Sequence, residues 1–231
     1  MPPEHEPSVM PSGRPNTSES SAGEQEFSTG TTIVGLAAAD AVVLATDRRV
    51  SLGGMVSSKS TPKALSVGDR AAIAFSGTLS GAQALADELA TEARLYEFRR
   101  NEPLSTTALA SYASNLMREN PMQVIPILGG VDAEAETGGS AETALFQFDG
   151  AGGRTEHDVV ATGSGGPYAY GVLESVDTDE LSVEEAQRLG ARAVAAASER
   201  DLASGNGLCV ATITAAGTEI EEFDDAAAVG S

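Results

Sequence analysis

The stretch Ser28-Thr29-Gly30-Thr31-Thr32-Ile33-Val34-Gly35 divides the chain into two unlike parts. Before Gly30 the sequence is polar and spotted with proline; from Thr31 it becomes apolar and β-branched, the composition of a buried strand. Residues 1–28 carry Pro, Ser, Glu and Gly with almost no clustered apolar side chains, so they are expected to be disordered and to add nothing to a core. His5 lies among them and is read as solvated. Beyond the boundary, Thr31 to Asp47 is rich in Val, Ile, Leu and Ala, with one break at Ala39-Asp40. That pattern predicts two short strands joined by a tight turn.

Further along, Gly53-Gly54 marks another turn and Arg70 to Ser76 reads as a buried strand. The junction Ser76-Gly77-Thr78 then opens a helix. Leu79, Ala82, Ala86, Leu89, Ala93 and Tyr96 recur at steps of three and four, one face of a helix ending near Arg100. A second helix is predicted from about Ser105 to Glu119, stopped by Asn120-Pro121. Strands follow at Gln123–Gly129, Thr143–Asp149 and Thr155–Ala161, separated by the acid-rich loop 132–142 and the turn 150–153. Gly163-Ser164-Gly165-Gly166-Pro167 breaks the chain before a short helix around Tyr168–Glu174. Ser182-Val183-Glu184-Glu185 has the form of a capping box and starts a long helix running to about Arg200. A last strand, Leu208–Thr214, precedes an expected acidic tail at 218–231. Strand runs flanking helix pairs suit an α+β fold of two stacked sheets with helices outside.

The 231 residues are enough for one domain with an appendage and a full core. No run approaches the length of a membrane span, and the first thirty residues lack a basic start followed by an apolar run, so a soluble, cytoplasmic protein is expected. Acids outnumber bases 34 to 14, for a net charge of −20. Such a surface repels nucleic-acid backbone and anionic lipid, which argues against both as partners. Self-repulsion on this scale calls for screening, so a salt-loving source is expected. Lys59 and Lys63 are the only lysines, which leaves twelve arginines among the 14 bases. Where lysine is this scarce, one in a chemically sensible place carries weight. The lone Cys209 excludes an intrachain disulfide and is read as a small buried hydrophobe.

The familiar catalytic patterns fail. Ser76-Gly77-Thr78-Leu79-Ser80-Gly81 has the wrong spacing for a serine-hydrolase elbow. The Gly163 loop lacks dinucleotide-loop spacing, and nothing matches a phosphate-cradling loop. His5 and His157 are the only histidines, too few for His-based triads or zinc sites, and His157 is read as structural. A catalytic base would have to come from elsewhere. A threonine at a newly cut chain start supplies it: the hydroxyl is the nucleophile, and the freed α-amine, with a pKa of roughly 7.7–8.0, accepts the proton. An internal Thr31 has no such amine, so a cut after Gly30 would be the activating step. Gly30 suits a strained turn that brings its carbonyl to the Thr31 hydroxyl.

Asp47 lies sixteen residues beyond Thr31, within Thr46-Asp47-Arg48-Arg49, and Lys63 thirty-two beyond it. A glycine-threonine boundary with an acid and a lysine at these distances resembles the β subunits of archaeal-type proteasomes, which are N-terminal-nucleophile hydrolases. The likeness extends from Thr31 to about Thr214, and with the acidic composition it points to a haloarchaeal-type member. It implies a four-layer αββα sandwich of mainly antiparallel sheets over 31–217. It also implies a propeptide, 1–30, removed by autocatalytic cleavage after Gly30. Thr31 is then nucleophile and base, Lys63 the cation that depresses the proton affinity of hydroxyl and amine, and Asp47 the anion that holds Lys63. Gly77, at the strand-to-helix junction, matches the backbone N–H donor to the oxyanion. Ser164, Asp201 and Ser204 match residues around the terminal amine, and Arg49 a structural arginine.

The resemblance further implies a first substrate pocket at Val50, Thr61, Leu65, Phe75 and Leu79. These positions are mostly apolar, so cleavage after apolar or aromatic residues is expected, a preference worth about 1–3 kcal/mol. It implies seven-membered β rings stacked in pairs, α-subunit rings outside them, a regulatory ATPase and unfolded protein substrates, with no metal or organic cofactor. Ile33 stands where the family often repeats threonine, and the 132–142 loop is longer than expected. Two other readings remain open at this point: a non-catalytic ring subunit, and an N-terminal-nucleophile amidase acting on small molecules.

Overall fold

A computed structural model describes residues 30–52, 54–132, 141–174 and 176–230. The proposed disordered segment up to residue 29 and most of the acidic loop lie outside the described residues.

The two strands expected after Thr31 are β1 (Ile33–Ala37) and β2 (Ala41–Asp47), paired antiparallel with Ile33 opposite Thr46. A hairpin of β3 (Val50–Leu52) and β4 (Met55–Ser58) follows, then β5 (Ala64–Ser66) and β6 (Ala71–Gly77). Helices α1 (Leu79–Arg100) and α2 (Thr106–Glu119) lead into β7 (Val124–Asp132), β8 (Glu142–Phe148), β9 (Arg154–Glu156) and β10 (Val159–Thr162). The chain ends with α3 (Gly166–Leu173), α4 (Val183–Ser198), β11 (Leu208–Thr214) and β12 (Gly217–Phe223).

Two five-stranded antiparallel sheets result, ordered β10-β1-β2-β11-β12 and β5-β6-β7-β8-β9. Side-chain alternation along each strand distributes residues among three apolar layers. Val34, Leu36, Val43 and Ala45 face α3 and α4, whereas Ile33, Ala37, Val42 and Leu44 face the other sheet. On the second sheet Ile73, Phe75, Leu128 and Phe146 face α1 and α2, and Ala72, Ala74, Ile127 and Leu145 face inward. The architecture is therefore helix, sheet, sheet, helix, as expected. Side-chain N-caps start three of the helices. Thr78 accepts from the Gly81 N–H, Ser105 from Ala108, and Ser182 forms a full capping box with Glu185.

Two expectations are corrected. The single strand predicted over Thr155–Ala161 is two strands in different sheets. Its middle is a crossing, where the His157 N–H bonds to Leu145 O in one sheet and Asp158 O accepts from Ala37 N in the other. The acidic tail expected at 218–231 begins with β12, which pairs along the whole of β11 from Leu208↔Phe223 to Thr214↔Gly217. Ile220 packs toward the space between the sheets and Phe223 toward α4, so this acidic stretch is part of the core's cover.

Candidate active site

The start of β1, the end of β2 and the segment before β5 meet at one end of the sandwich. Thr31, Asp47 and Lys63, far apart in sequence, are buried there together. The Lys63 ammonium donates to Asp47 Oδ1 at 2.8 Å and to Thr31 Oγ1 at 2.9 Å, and lies 3.4 Å from Gly30 O. The Thr31 hydroxyl in turn donates to Gly30 O at 2.7 Å. One cation thus touches both the hydroxyl and the carbonyl oxygen of the peptide bond that precedes it. A positive charge there stabilises negative charge developing on either oxygen.

Asp47 is fully buried and is held by four donors. Oδ1 takes the Lys63 ammonium and the Thr32 N–H (3.0 Å), and Oδ2 takes the N–H groups of Arg49 and Gly205 (3.0 Å each). Such a carboxylate is fixed in place against the lysine. Burial lowers the Lys63 pKa below its ordinary 10.5, and the facing Asp47 carboxylate opposes that shift.

A second network reaches Thr31 from the other side. The Thr31 N–H donates to Ser164 Oγ at 3.2 Å. The Ser164 and Ser204 hydroxyls both donate to Asp201 Oδ2 at 2.6 Å, and Asp201 Oδ1 accepts from Ala203 N. Because the single Ser204 proton goes to Asp201, the 2.7 Å contact between Ser204 and Thr32 has the Thr32 hydroxyl as donor. Thr32 therefore ties the two networks together, through its N–H to Asp47 and its hydroxyl to Ser204. Sequence reasoning passed over it as a strand residue; its only signal was adjacency to Thr31. Arg49 does what was expected of it. Its Nη1 donates to Leu202 O and its Nε to Asn206 Oδ1, which pins the loop carrying Asp201 and Ser204.

Gly30 fits without room to spare: a Cβ there would lie 1.8 Å from the Ala203 methyl. Gly77 ends β6 with φ +104°, and a Cβ would lie 2.3 Å from Gln123 O, so glycine alone makes the turn into α1. The five pocket positions are less uniform than the catalytic ones. Phe75 is buried in the core beneath α1 and α2 with Leu65 packed against the same cluster, Val50 and Thr61 are half-buried, and Leu79 is exposed. Among the described residues no group of three or more His, Cys, Asp or Glu is placed to hold a metal ion. No helix among them is long and apolar enough to cross a membrane.

Known proteins resemble this chain over most of its length. The sequence pattern of the proteasome subunit family matches residues 27–213. A proteasome subunit beta of Halorhabdus utahensis is 50% identical over 207 residues, covering 89% of this chain and 86% of that protein. A proteasome subunit beta of Halorubrum lacusprofundi is 46% identical over 204 residues, 88% of this chain and 81% of the relative. A proteasome subunit beta 2 of Haloarcula marismortui is 45% identical over 213 residues, 91% and 90% respectively.

Proposed function

This chain belongs to the proteasome β-subunit family, and from that premise we propose that it is a catalytic member, a threonine endopeptidase that hydrolyses unfolded proteins through an acyl-enzyme on Thr31. The observation that carries the reading is the single Lys63 ammonium bonded at once to the Thr31 hydroxyl and to Asp47, in a buried site. A ring subunit with no chemistry to perform has no use for a desolvated lysine aimed at a hydroxyl.

In the uncut chain the Thr31 nitrogen is an amide and cannot act as a base. Thr31 Oγ1 attacks the Gly30 carbonyl carbon; the C–O bond forms, the Gly30–Thr31 C–N bond breaks, and the hydroxyl proton passes to the departing nitrogen. Water then hydrolyses the ester, which leaves a Gly30 carboxylate and a free Thr31 amine. That amine takes the hydroxyl proton when Thr31 attacks a substrate carbonyl, and gives it to the leaving amine as the acyl-enzyme forms. A second water, deprotonated by the same amine, releases the product acid. Lys63 holds the hydroxyl polarised, the Gly77 N–H donates to the oxyanion, and Ser164, with Asp201 and Ser204 behind it, orients the amine.

The pocket at Val50, Thr61, Leu65, Phe75 and Leu79 favours cleavage after apolar residues; fluorogenic peptides ending in Leu or Tyr are expected to outpace those ending in Arg or Glu. The subunit works in cytoplasmic particles of paired heptameric β rings, capped by α-subunit rings that receive chains from an ATPase. Intact mass and N-terminal sequencing of particle-bound subunit in molar salt test the whole reading. A start at Thr31, lost in Thr31→Ala together with peptidase activity, is expected. A particle-bound subunit that keeps residues 1–30 and yet cleaves peptides would overturn it.

A further inference from the structure

Thr32 is fully buried, and each of its polar groups is engaged. Its N–H donates to Asp47 Oδ1 at 3.0 Å, its carbonyl accepts from the Asp47 N–H at 3.2 Å, and its hydroxyl donates to Ser204 Oγ at 2.7 Å. Strand alternation puts its side chain on the face of Val34 and Leu36, which pack in the apolar layer under α3 and α4. A valine would suit that layer better, since a buried hydroxyl costs stability unless it is bonded. The chain also makes room for this oxygen. A Cβ on Gly165 would lie 1.9 Å from Thr32 Oγ1, so the loop after β10 closes over it and excludes a side chain there.

The hydroxyl sets a direction for the protons beyond it. Ser204 accepts from Thr32 and gives its own proton to Asp201 Oδ2, where the Ser164 proton also arrives. With its proton committed to Asp201, Ser164 offers the Thr31 nitrogen a lone pair. That direction matters once the nitrogen is an amine. A Ser164 hydroxyl turned toward it would occupy the lone pair that has to take the Thr31 proton. The cut also changes how residue 31 is held. In the uncut chain it is tied covalently to Gly30 and Thr32, and a planar amide fixes its nitrogen. Afterwards Thr32 is its one covalent neighbour, and the amine turns about its bond to Cα unless an acceptor fixes it.

We propose that Thr32 is a positioning residue for peptide hydrolysis, and that its hydroxyl is dispensable for the cut after Gly30. Bonded to Ser204, the hydroxyl steadies the backbone that carries the terminal amine and keeps Ser164 an acceptor for that amine. The inference rests on the reading of Thr31 as nucleophile and base given above. It gives the two networks different tasks: Lys63 and Asp47 serve both reactions, whereas the link from Thr32 to Ser204 serves only the second.

Thr32→Val, Thr32→Ala and Thr32→Ser, each assembled with partner subunits in molar KCl, test it against the wild type. Intact mass gives the fraction cut at Gly30, and a fluorogenic peptide gives kcat and KM per cut subunit. Thr32→Val is expected to be cut as fully as the wild type. Its kcat is expected to fall about tenfold or more with KM within about twofold, the mark of an interaction made in the transition state rather than in substrate binding. Thr32→Ala should show the same split, which keeps the test standing if valine prevents assembly, and Thr32→Ser should recover most of the rate. A kcat per cut subunit near that of the wild type in Thr32→Val or Thr32→Ala would overturn the inference. So would loss of the cut itself, or loss of assembly in all three variants, which makes the role structural. A Thr32→Ser variant as slow as Thr32→Val would also overturn it, because the residue would then act through its methyl group. A wild type that keeps residues 1–30, or a Thr31→Ala variant that still cleaves peptides, would sink the reading of Thr31 and this inference with it.

Discussion

Lys63 and Asp47 form a buried ion pair whose value lies in placement, because desolvating two charges offsets most of their attraction. Asn at position 47 would keep the shape but lose the charge and the four-donor acceptance now shared by two oxygens. Asp47→Asn is therefore expected to cost about 3–5 kcal/mol, the penalty for leaving a buried charge unpaired. The loss should appear as a lower urea midpoint together with failure to cut at Gly30. Lys63 also sets a pH dependence. Burial lowers its folded pKa below the ordinary 10.5, so across the interval between them the unfolded chain binds the proton and the folded one does not. Charging the buried amine costs stability below the folded pKa, and that cost is relieved as pH rises towards the unfolded value. The melting temperature of the wild type is expected to gain on that of Lys63→Met as pH rises towards 10.5; a gain in the opposite direction would mean that Asp47 outweighs burial. These two residues were legible in the sequence because lysine is so scarce and because their places relative to Thr31 resemble those of proteasome β subunits. Thr32 was not, because a threonine in a strand is ordinary until its hydroxyl is seen to reach Ser204.

Elements decide how closely the chain can approach itself. Gly30 lies against the loop after α4, and the 1.8 Å left to the Ala203 methyl excludes any side chain. Gly30→Ala is expected to slow the cut at least tenfold by displacing the carbonyl from Thr31 Oγ1. Gly30→Ala with Ala203→Gly should restore much of the rate, as read by mass spectrometry over time. If the double variant is as slow as the single one, the role of Gly30 is chemical rather than steric. β12 shows where sequence patterning gives out. Its two apolar residues, Ile220 and Phe223, are three apart, so they fall on opposite faces of the strand and leave no alternation to read among the glutamates. The split at His157 was hidden for a related reason, since a chain crossing between sheets stays extended on both sides. Ending the chain after Thr214 would bare the edge of β11 and strip Arg48 of its partners Glu222 and Asp224. Such a variant is expected to aggregate on expression, because an unprotected edge pairs with other chains. Recovery in the soluble fraction measures it.

The whole molecule carries −20, and how that charge is arranged determines what salt does to it. Salt weakens attraction and repulsion alike, so the outcome depends on which is commoner. Among the described residues there are three ion-pair contacts, and one of them, Lys63–Asp47, is buried beyond the reach of screening. The other two tie Arg48 to Glu222 in β12 and to Asp224 just after it. Against these stand 34 acids and only 14 bases to offset them. Dilution from molar salt lengthens the screening distance from about 3 Å to about 10 Å at 0.1 M, enough for neighbouring carboxylates to feel one another. Repulsion therefore dominates, and the melting temperature is expected to fall on dilution. β12 locates part of the effect, since Glu219 and Glu221 are exposed and lie two apart on one face of the strand. Glu219→Gln with Glu221→Gln should melt at nearly the wild-type temperature in molar KCl and lose several degrees less on dilution. Equal losses in the two proteins would place the salt dependence elsewhere, in the apolar contacts that concentrated salt also strengthens.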